Sequence, residues 1–508
     1  MTPRPGWRKH QNDLNEIAER IAAKRESNSL VFTEIVAGGG KSRNAVIFGD
    51  QLRRAGLIDK IIWVTPRLSL QRQGAEAAAE GVDDIPGFML GEDHRSLGRD
   101  GFVTNYMALR SDPKSHFELL NFFHEKGKRT LIVADEVHYC CGKSRYIAPW
   151  AETFRDLVIK SRENNGHLLA MSGTVRRWDN NPVFRAPYPI ASAGTHLDPE
   201  RVLMYDREDG IAESAITRIR VHSFDGLVQW AGKSGEPETD RPVLLSSVKS
   251  ARAGRALRAF LHESNLENVH MPVIIDALTS RKKGRPGWLR YRESYGNNQI
   301  IITASRQKTA EAIVQRLNSP AFRRLLRTHR SSDGSGPILN DDFRAVLAVS
   351  SNSGSLEAIE AFRSGRAHCL VTVAMAHVGM DAPSATHLVH LGDTRSIPWL
   401  TQLFARVWRA GRYDWPKGRD EIDPKHRVAQ IWAPADWRMS TAVDAIATGS
   451  YAAGQGKNQR KGGWDKILWD ELLPMPPRRK GKKRGPQFQY SPILGACCVN
   501  SFMGGKLL

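Results

Sequence analysis

The sequence predicts an α/β protein made of two tandem parallel-sheet units, with a small helical insertion in the second and a basic C-terminal tail. Three observations carry this. Four apolar runs in the first 200 residues, LVFTEIV (30–36), KIIWVTP (60–66), TLIVADE (130–136) and HLLAMSG (167–173), each end in polar or glycine residues. A second series, NQIIITAS (298–305), HCLVTVAM (368–375) and ATHLVHLGD (385–393), follows the same pattern. The chain, at 508 residues, is also too long for a single hydrophobic core.

Short, uninterrupted apolar runs read as strands buried on both faces, as a parallel sheet covered by helices requires. Candidate helices at 8–25, 42–56 and 113–126 separate the runs of the first unit, and EAIVQRL and SLEAIEAFRSG separate those of the second. RVAQIWAP (427–434) reads as a last strand closing the second sheet. The expected division is 1–200, then 201–440, then 441–508. The middle region opens with a connector, RVLMYDREDGIAESAITRIRVHSFDG, and includes a basic helical insertion at about 248–292. The last region is marked by GSYAAGQGKNQRKGG and the basic run PPRRKGKKRGP, which reads as a tail able to grip phosphates.

Composition narrows the function. A hydrophobic share of 41% and a charged share of 25% are those of an ordinary soluble globular protein. No apolar run reaches the ~20 residues of a membrane span, and MTPRPGWRKH lacks the apolar segment of a secretory signal. The five cysteines (two adjacent pairs and Cys369) have neither zinc-site spacing nor an even count, so they read as thiols in a reducing cytoplasm. The formal charge of +20 favours a polyanionic partner, because lysine and arginine gain free energy by releasing phosphate counterions.

The residues at the strand ends carry the chemistry, since open α/β sheets bind ligands there. In AGGGKS, Gly38, Gly39 and Gly40 let backbone N–H groups converge on phosphates, and the helix that follows points its positive end at the same anion. Lys41 is placed to neutralise phosphate charge and Ser42 to hold Mg²⁺. The full phosphate-loop pattern wants glycine at 35, where the chain has Ile35. In DEVH, adjacent Asp135 and Glu136 need a cation; Asp135 would coordinate Mg²⁺, and Glu136 would orient and deprotonate an attacking water. In QLFARVWRAGR, spacings of four and three put Gln402, Arg406 and Arg409 on one helical face.

Taken in order, AGGGKS, TPRLSLQRQ, DEVH, MSGT, TASRQ, VGMDAP and QLFARVWRAGR resemble the motif ladder of superfamily 2 DExH-box helicases and translocases, particularly restriction-type motor subunits. The resemblance covers roughly residues 7–435. It implies two tandem RecA-like P-loop domains, ATP and Mg²⁺, and hydrolysis coupled to movement on nucleic acid. It further implies that His138, Ser172 and Thr174 couple hydrolysis to domain movement. Gly379 and Asp381 would report nucleotide occupancy, and Thr65, Arg67, Thr303 and Ser305 would contact sugar–phosphate, which positions a strand without reading its sequence. Gln402, Arg406 and Arg409 would face the γ-phosphate across an interdomain cleft. Ala405 stands where the family pattern has glycine. Gln11, in WRKHQ, would read the adenine edge, or simply begin an amphipathic helix. DNA is favoured over RNA as the track, with a nuclease as a possible partner subunit. An RNA helicase and a non-motor nucleic-acid-binding scaffold are the alternatives.

Overall fold

In the computed structural model the chain divides into two compact units at Ala215/Ile216. The structure describes residues 6–66, 70–140, 149–173, 201–230, 239, 241–248, 252–282, 284–296, 298–332, 334, 336–339, 343–373, 382, 384–409, 428–448, 498–503 and 506–507. Arg67, Thr174, Gly379 and Asp381, the side chain of His138 and the basic run after residue 476 lie outside them.

The first unit is a parallel sheet of seven strands: β1 (Leu30–Ile35), β2 (Lys60–Thr65), β3 (Leu90–Gly91), β4 (Gly101–Asn105), β5 (Thr130–Ala134), β6 (His167–Ser172) and β7 (Val202–Tyr205). Their order is β3-β4-β2-β5-β6-β1-β7. Every residue of β1, β4, β5 and β6 is buried, which accounts for their continuous apolar character. On one face Phe32, Ile62, Val64, Phe102 and Ile132 pack against Tyr106, Phe123, Phe154 and Leu157 from the flanking helices.

Helix α1 (Lys9–Ala23) presents Leu14, Ile17, Ala18 and Ile21 to the core, at the 3-and-4 spacing of a one-sided helix. α2 (Lys41–Arg54) and α5 (Pro113–Glu125) also form where their apolar periodicity places them, with α3 (Gln71–Glu80) and α4 (Tyr106–Ser111) between. At the start of α5, Asp112 accepts the Ser115 N–H and Pro113 takes the first turn, where no amide donor is needed.

The first unit runs past the boundary expected at residue 200. Val202–Tyr205 pairs in parallel with β1, so the connector begins as an edge strand of the first sheet. The rest of that segment, β8 (Arg218–Asp225), belongs to the second sheet, where it pairs in parallel with β17 (Val428–Pro434).

The other strands of the second unit are β9 (Leu227–Val228), β10 (Val243–Leu244), β11 (Arg281–Lys282), β12 (Arg285–Pro286), β13 (Gln299–Ala304), β14 (Ala345–Ala348), β15 (Cys369–Thr372), β16 (Ala385–Leu391), β18 (Cys498–Met503) and β19 (Lys506–Leu507). β9–β10 and β11–β12 are small ribbons, and the main sheet has the order β14-β15-β13-β16-β17-β8-β18-β19. β17 therefore does not close this sheet: β8 and the antiparallel β18 lie beyond it. The C-terminal segment, expected to be only a basic tail, contributes that strand, and 437–448 form a helix.

The segment 248–292 is helical at 253–260, 271–279 and 288 onward, as its pattern suggested. It is not an appendage, however. Ala256, Leu257, Phe260, Ile274 and Trp288 share one buried cluster with Ile300, Ile302, Val371 and Trp432 of the sheet. No helix among the described residues is long and apolar enough to cross a membrane.

Candidate functional site

The strand order brings together motifs that are far apart in sequence. β6 lies between β5 and β1, so the turn after β5, the end of β6 and the loop after β1 stand side by side at the carboxyl edge of the first sheet. Lys41, the first residue of α2, donates to the Glu136 carboxylate. The other carboxylate oxygen of Glu136 accepts the Gly173 N–H at 3.4 Å. A Cβ on Gly173 would lie 3.4 Å from Lys41 Nζ, an ordinary contact, so what Gly173 brings to this point is its backbone N–H. Within MSGT, Gly173 brings its N–H to this point, and Thr174 lies outside the described residues. Ser172 is fully buried, opposite Glu34 in the β1–β6 register.

The loop 36–40 is a cradle only glycines can make. Gly38 (φ 89°) and Gly40 (φ 95°) are left-handed, and Gly40 starts α2. A Cβ on Gly39 would stand 2.7 Å from Ile35 Cγ2 and 2.8 Å from the Val36 carbonyl oxygen. The side chain of Ile35 fills the space below the loop, and Gly39 donates its N–H to Val36 at 2.8 Å. The loop thus folds as a glycine cradle without a glycine at position 35. Ser42 follows in the first turn of α2, half-buried.

At the end of β5, Asp135 extends the ladder by donating its N–H to Val64, and its carbonyl accepts the Tyr106 hydroxyl at 3.0 Å. Burial pushes the Asp135 carboxyl up to about 6; Lys41 opposes the shift and Glu136 adds to it. Glu136 has φ 49°, a left-handed conformation uncommon for any residue with a Cβ, and one that costs roughly 1–3 kcal/mol. The Asp135 carboxylate accepts the Glu136 N–H at 3.0 Å, and a short 3₁₀ turn (Val137–Cys140) follows, with Tyr139 donating back to the Glu136 carbonyl.

A second group of side chains braces the loop from α1 and β7. Arg8 Nη1 donates to the Gly39 carbonyl at 2.5 Å, and His10 Nε2 lies 2.9 Å from the same oxygen. Burial drives His10 down to about 4, so the ring is neutral. Nε2 faces the Gly39 carbonyl and Nδ1 lies 3.0 Å from Asn44 Oδ1, so the single N–H of the neutral ring donates to one of these two oxygens. Tyr205 packs edge-on against His10, its hydroxyl donating to Glu213 at 2.8 Å. Gln11 is buried and accepts the Arg8 N–H at 2.9 Å, so it does begin a helix; its Nε2 lies 4.0 Å from the Cβ position of Gly40. The short WRKHQ match gave no sign of Arg8, His10 or Tyr205 as loop supports, because that role depends on α1 packing on α2 and on β7 lying beside β1.

In the second unit the expectation of one helical face fails in part. The helix 397–404 carries Gln402, 8% exposed, but it stops at Phe404. The chain tightens through Arg406 N–H to Leu403 and Val407 N–H to Phe404, and Arg409 forms an extended bridge with Ile216. The reason is Trp408. It is fully buried, and its carbonyl takes both the N–H and the hydroxyl of Thr217, which pulls the backbone out of the helix. Arg406 stays at the buried turn, 6% exposed, and Arg409 is half-buried.

Two of the residues expected to contact a nucleic-acid backbone are buried. The Thr65 hydroxyl donates to the Thr104 carbonyl, and the Thr303 hydroxyl sits 2.7 Å from His390 Nδ1; both residues are 1% exposed. Thr65 ends β2 and Thr303 lies near the end of β13, and both hydroxyls contact neighbouring strands of their own sheets. Ser305, beyond the strand, is half-buried, with its hydroxyl 3.4 Å from the Leu261 carbonyl. The described residues contain no cluster of three or more metal-ligating His, Cys, Asp or Glu side chains.

Residues 5–177 match the family described as type III restriction enzyme, res subunit, and residues 289–411 match the helicase conserved C-terminal domain. No curated protein sequence matches the chain significantly. Among solved structures, the chain is similar to the Mycobacterium smegmatis helicase Lhr bound to ssDNA and AMP-PNP (13% identity, TM-score 0.45, covering 87% of this chain and 48% of that one). It is also similar to a fragment assigned as the HsdR subunit of a type I restriction enzyme from Vibrio vulnificus (16%, 0.48, 88% and 67%). A third is the ATP-dependent type ISP restriction-modification enzyme LlaBIII bound to DNA (11%, 0.46, 88% and 30%). The chain thus spans about half the length of the first of these and under a third of the last.

Proposed function

Starting from a superfamily 2 helicase-type chain that resembles restriction-type motor subunits, we propose that it is a nucleic-acid-dependent ATPase that moves on DNA. The observation that carries this reading is the meeting of Lys41, Glu136 and Gly173 beside the glycine cradle at one sheet edge.

The residues fit a magnesium nucleotide. The cradle and the first turn of α2 offer N–H groups and a positive helix end to the β- and γ-phosphates. Lys41 exchanges its carboxylate partner for phosphate. Asp135, buried and reluctant to ionise, gains from a divalent cation that it would hold together with Ser42. That cation, when bound, neutralises charge on the β- and γ-oxygens. Glu136, released from Lys41, orients a water and takes its proton as the oxygen attacks the γ-phosphorus and the bond to the ADP oxygen breaks. Gln402, Arg406 and Arg409 are assigned to the charge that builds on the transferred group, and His138, Ser172 and Thr174 to coupling. Gly379 and Asp381 are assigned to sensing the nucleotide, and Arg67 and Ser305 to the backbone of the track.

DNA is the favoured track because the N-terminal match is to a restriction-enzyme subunit. Movement on duplex without strand separation is the form this favours, and any cleavage would come from a partner subunit. The test is steady-state ATPase activity, alone and with single-stranded DNA, duplex DNA or single-stranded RNA, using Lys41→Ala and Glu136→Gln as controls. Strong stimulation by DNA that both substitutions abolish is expected. Stimulation by RNA alone would replace the track, and a wild-type rate no higher than the controls in folded, nucleic-acid-binding protein would leave a scaffold.

A further inference from the structure

The second unit holds a cavity of about 240 Å³ whose polar lining is Thr279, Arg281, Arg290, Glu293, Arg330 and Ser332, with His329 beside them and Leu289 and Ile338 as its apolar wall. It lies at the edge of the sheet away from the motif residues. The helix 288–295 leads directly into β13, and Trp288 donates to the Asn298 carbonyl just before that strand. The helix 307–317 leaves the carboxyl end of β13 and runs back, so that Asn318 bonds the first residue of β14, Ala345, through both its amide atoms. The helix 320–327 and the loop after it therefore reach the amino edge. β13 has six residues, so about 20 Å of strand separates this cavity from Ser305.

The cavity is cationic by construction. Its only lining carboxylate among the described residues, Glu293, is committed to the wall: it accepts the Ser332 N–H and hydroxyl and a guanidinium N–H of Arg290. Although burial works against it, these bonds hold the Glu293 carboxyl below its usual range. Arg281 donates to the Arg330 carbonyl at 3.1 Å, which ties the β11–β12 ribbon to the loop 329–338. Among the described residues no carboxylate lies within ion-pair distance of Arg281 or Arg330, and both side chains are exposed. His329 is held below its usual range by burial and by Arg281, so it is a neutral donor here. Exposed Lys282 on the ribbon and exposed Arg324 and Arg327 on the adjoining helix continue the charge beyond the cavity. A socket for one phosphate set in a longer cationic strip fits a polymer of phosphates better than a single small anion.

We propose that this cavity and strip form a second sugar–phosphate contact, separate from the motif surface, that holds an arm of the nucleic acid at the amino edge of the second sheet. This rests on the reading of the chain as a nucleic-acid-binding protein.

The test is binding of single-stranded and duplex DNA by the full chain across a range of salt concentrations. Wild type would be compared with Arg281→Gln/Arg330→Gln and with the charge-keeping Arg281→Lys/Arg330→Lys. The glutamine pair should weaken duplex binding at low salt and reduce the slope of log K against log salt by roughly two, at about 0.9 per lost phosphate contact. The lysine pair should keep the wild-type slope, and ATPase without polymer should be the same in all three. An unchanged slope for the glutamine pair on both DNAs, or an equal loss in the lysine pair, would overturn the proposal while the motor reading stands. Absence of any binding by wild type would overturn both.

Discussion

Lys41 and Glu136, 95 positions apart in sequence, form an ion pair at the head of the first sheet. They follow β1 and β5, strands separated by β6, a gap of about 10 Å that two long side chains can close. This pair joins the groups assigned to phosphate binding and to water activation.

Its chemistry gives the first prediction. Glu136→Gln removes the charge that holds Lys41, so ATP should bind a few-fold more tightly while turnover falls by about 10²–10⁴, the usual worth of a general base. Nucleotide titration and single-turnover hydrolysis on the same variant check both halves. Weaker ATP binding would mean that the pair does not compete with phosphate.

The burial of Asp135 makes a prediction about pH. Its carboxyl titrates near 6 in the folded chain, above the ordinary 3.8. Stability contributed by the protonated form is complete below the unfolded value and is lost as pH rises through about 6. Without nucleotide, Asp135→Asn should therefore melt higher than wild type at pH 7–8, and the gap should close towards pH 4. Magnesium-dependent nucleotide binding to wild type should tighten between pH 5 and 7, because the cation needs the carboxylate. Melting curves and titrations over that range are the measurements, and a stability gap independent of pH would contradict the assignment.

The loop glycines are not equivalent. Ala at position 39 would put a Cβ 2.8 Å from a backbone oxygen, whereas Ala at position 173 meets nothing closer than 3.4 Å. Gly39→Ala should cost about 1–3 kcal/mol of loop strain and lower ATP affinity at least about tenfold. Gly173→Ala should bind ATP within about twofold of wild type. Isothermal titration of the two variants decides this.

In the second unit Arg395 pairs with Asp436 at 2.8 Å, with both side chains almost wholly buried. Arg395 also donates to the Gly392 and Thr394 carbonyls, and Asp436 accepts the Met439 N–H at the start of the helix 437–448. This clamp holds the loop between β16 and the helix that carries Gln402. Asp436→Ala strands a buried guanidinium and should destabilise by about 3–5 kcal/mol, whereas adding Arg395→Met should recover part of the loss. Urea unfolding of the single and double variants measures the recovery; additive losses would show that the two residues do not act as a pair.

The sequence by itself determined the two parallel-sheet units, the positions of helices α1, α2 and α5, and the motif residues that stand at strand ends. Those properties follow from local patterning: apolar runs, helical spacing, and glycines ahead of a lysine. The meeting of motifs was decided only by strand order, because a linear chain does not state that β6 inserts between β5 and β1. The same is true of Tyr205, which stands by the loop because β7 lies beside β1, and of Arg8 and His10, which reach it because α1 packs on α2. Burial likewise withdrew Thr65 and Thr303 from the surface, and the Trp408–Thr217 contact ended the helix before Arg406. The C-terminal segment shows the limit most plainly. Its charge read as a tail, yet Cys498–Met503 pairs antiparallel with β8, since an unpaired edge of backbone donors and acceptors gains more from a strand than from solvent.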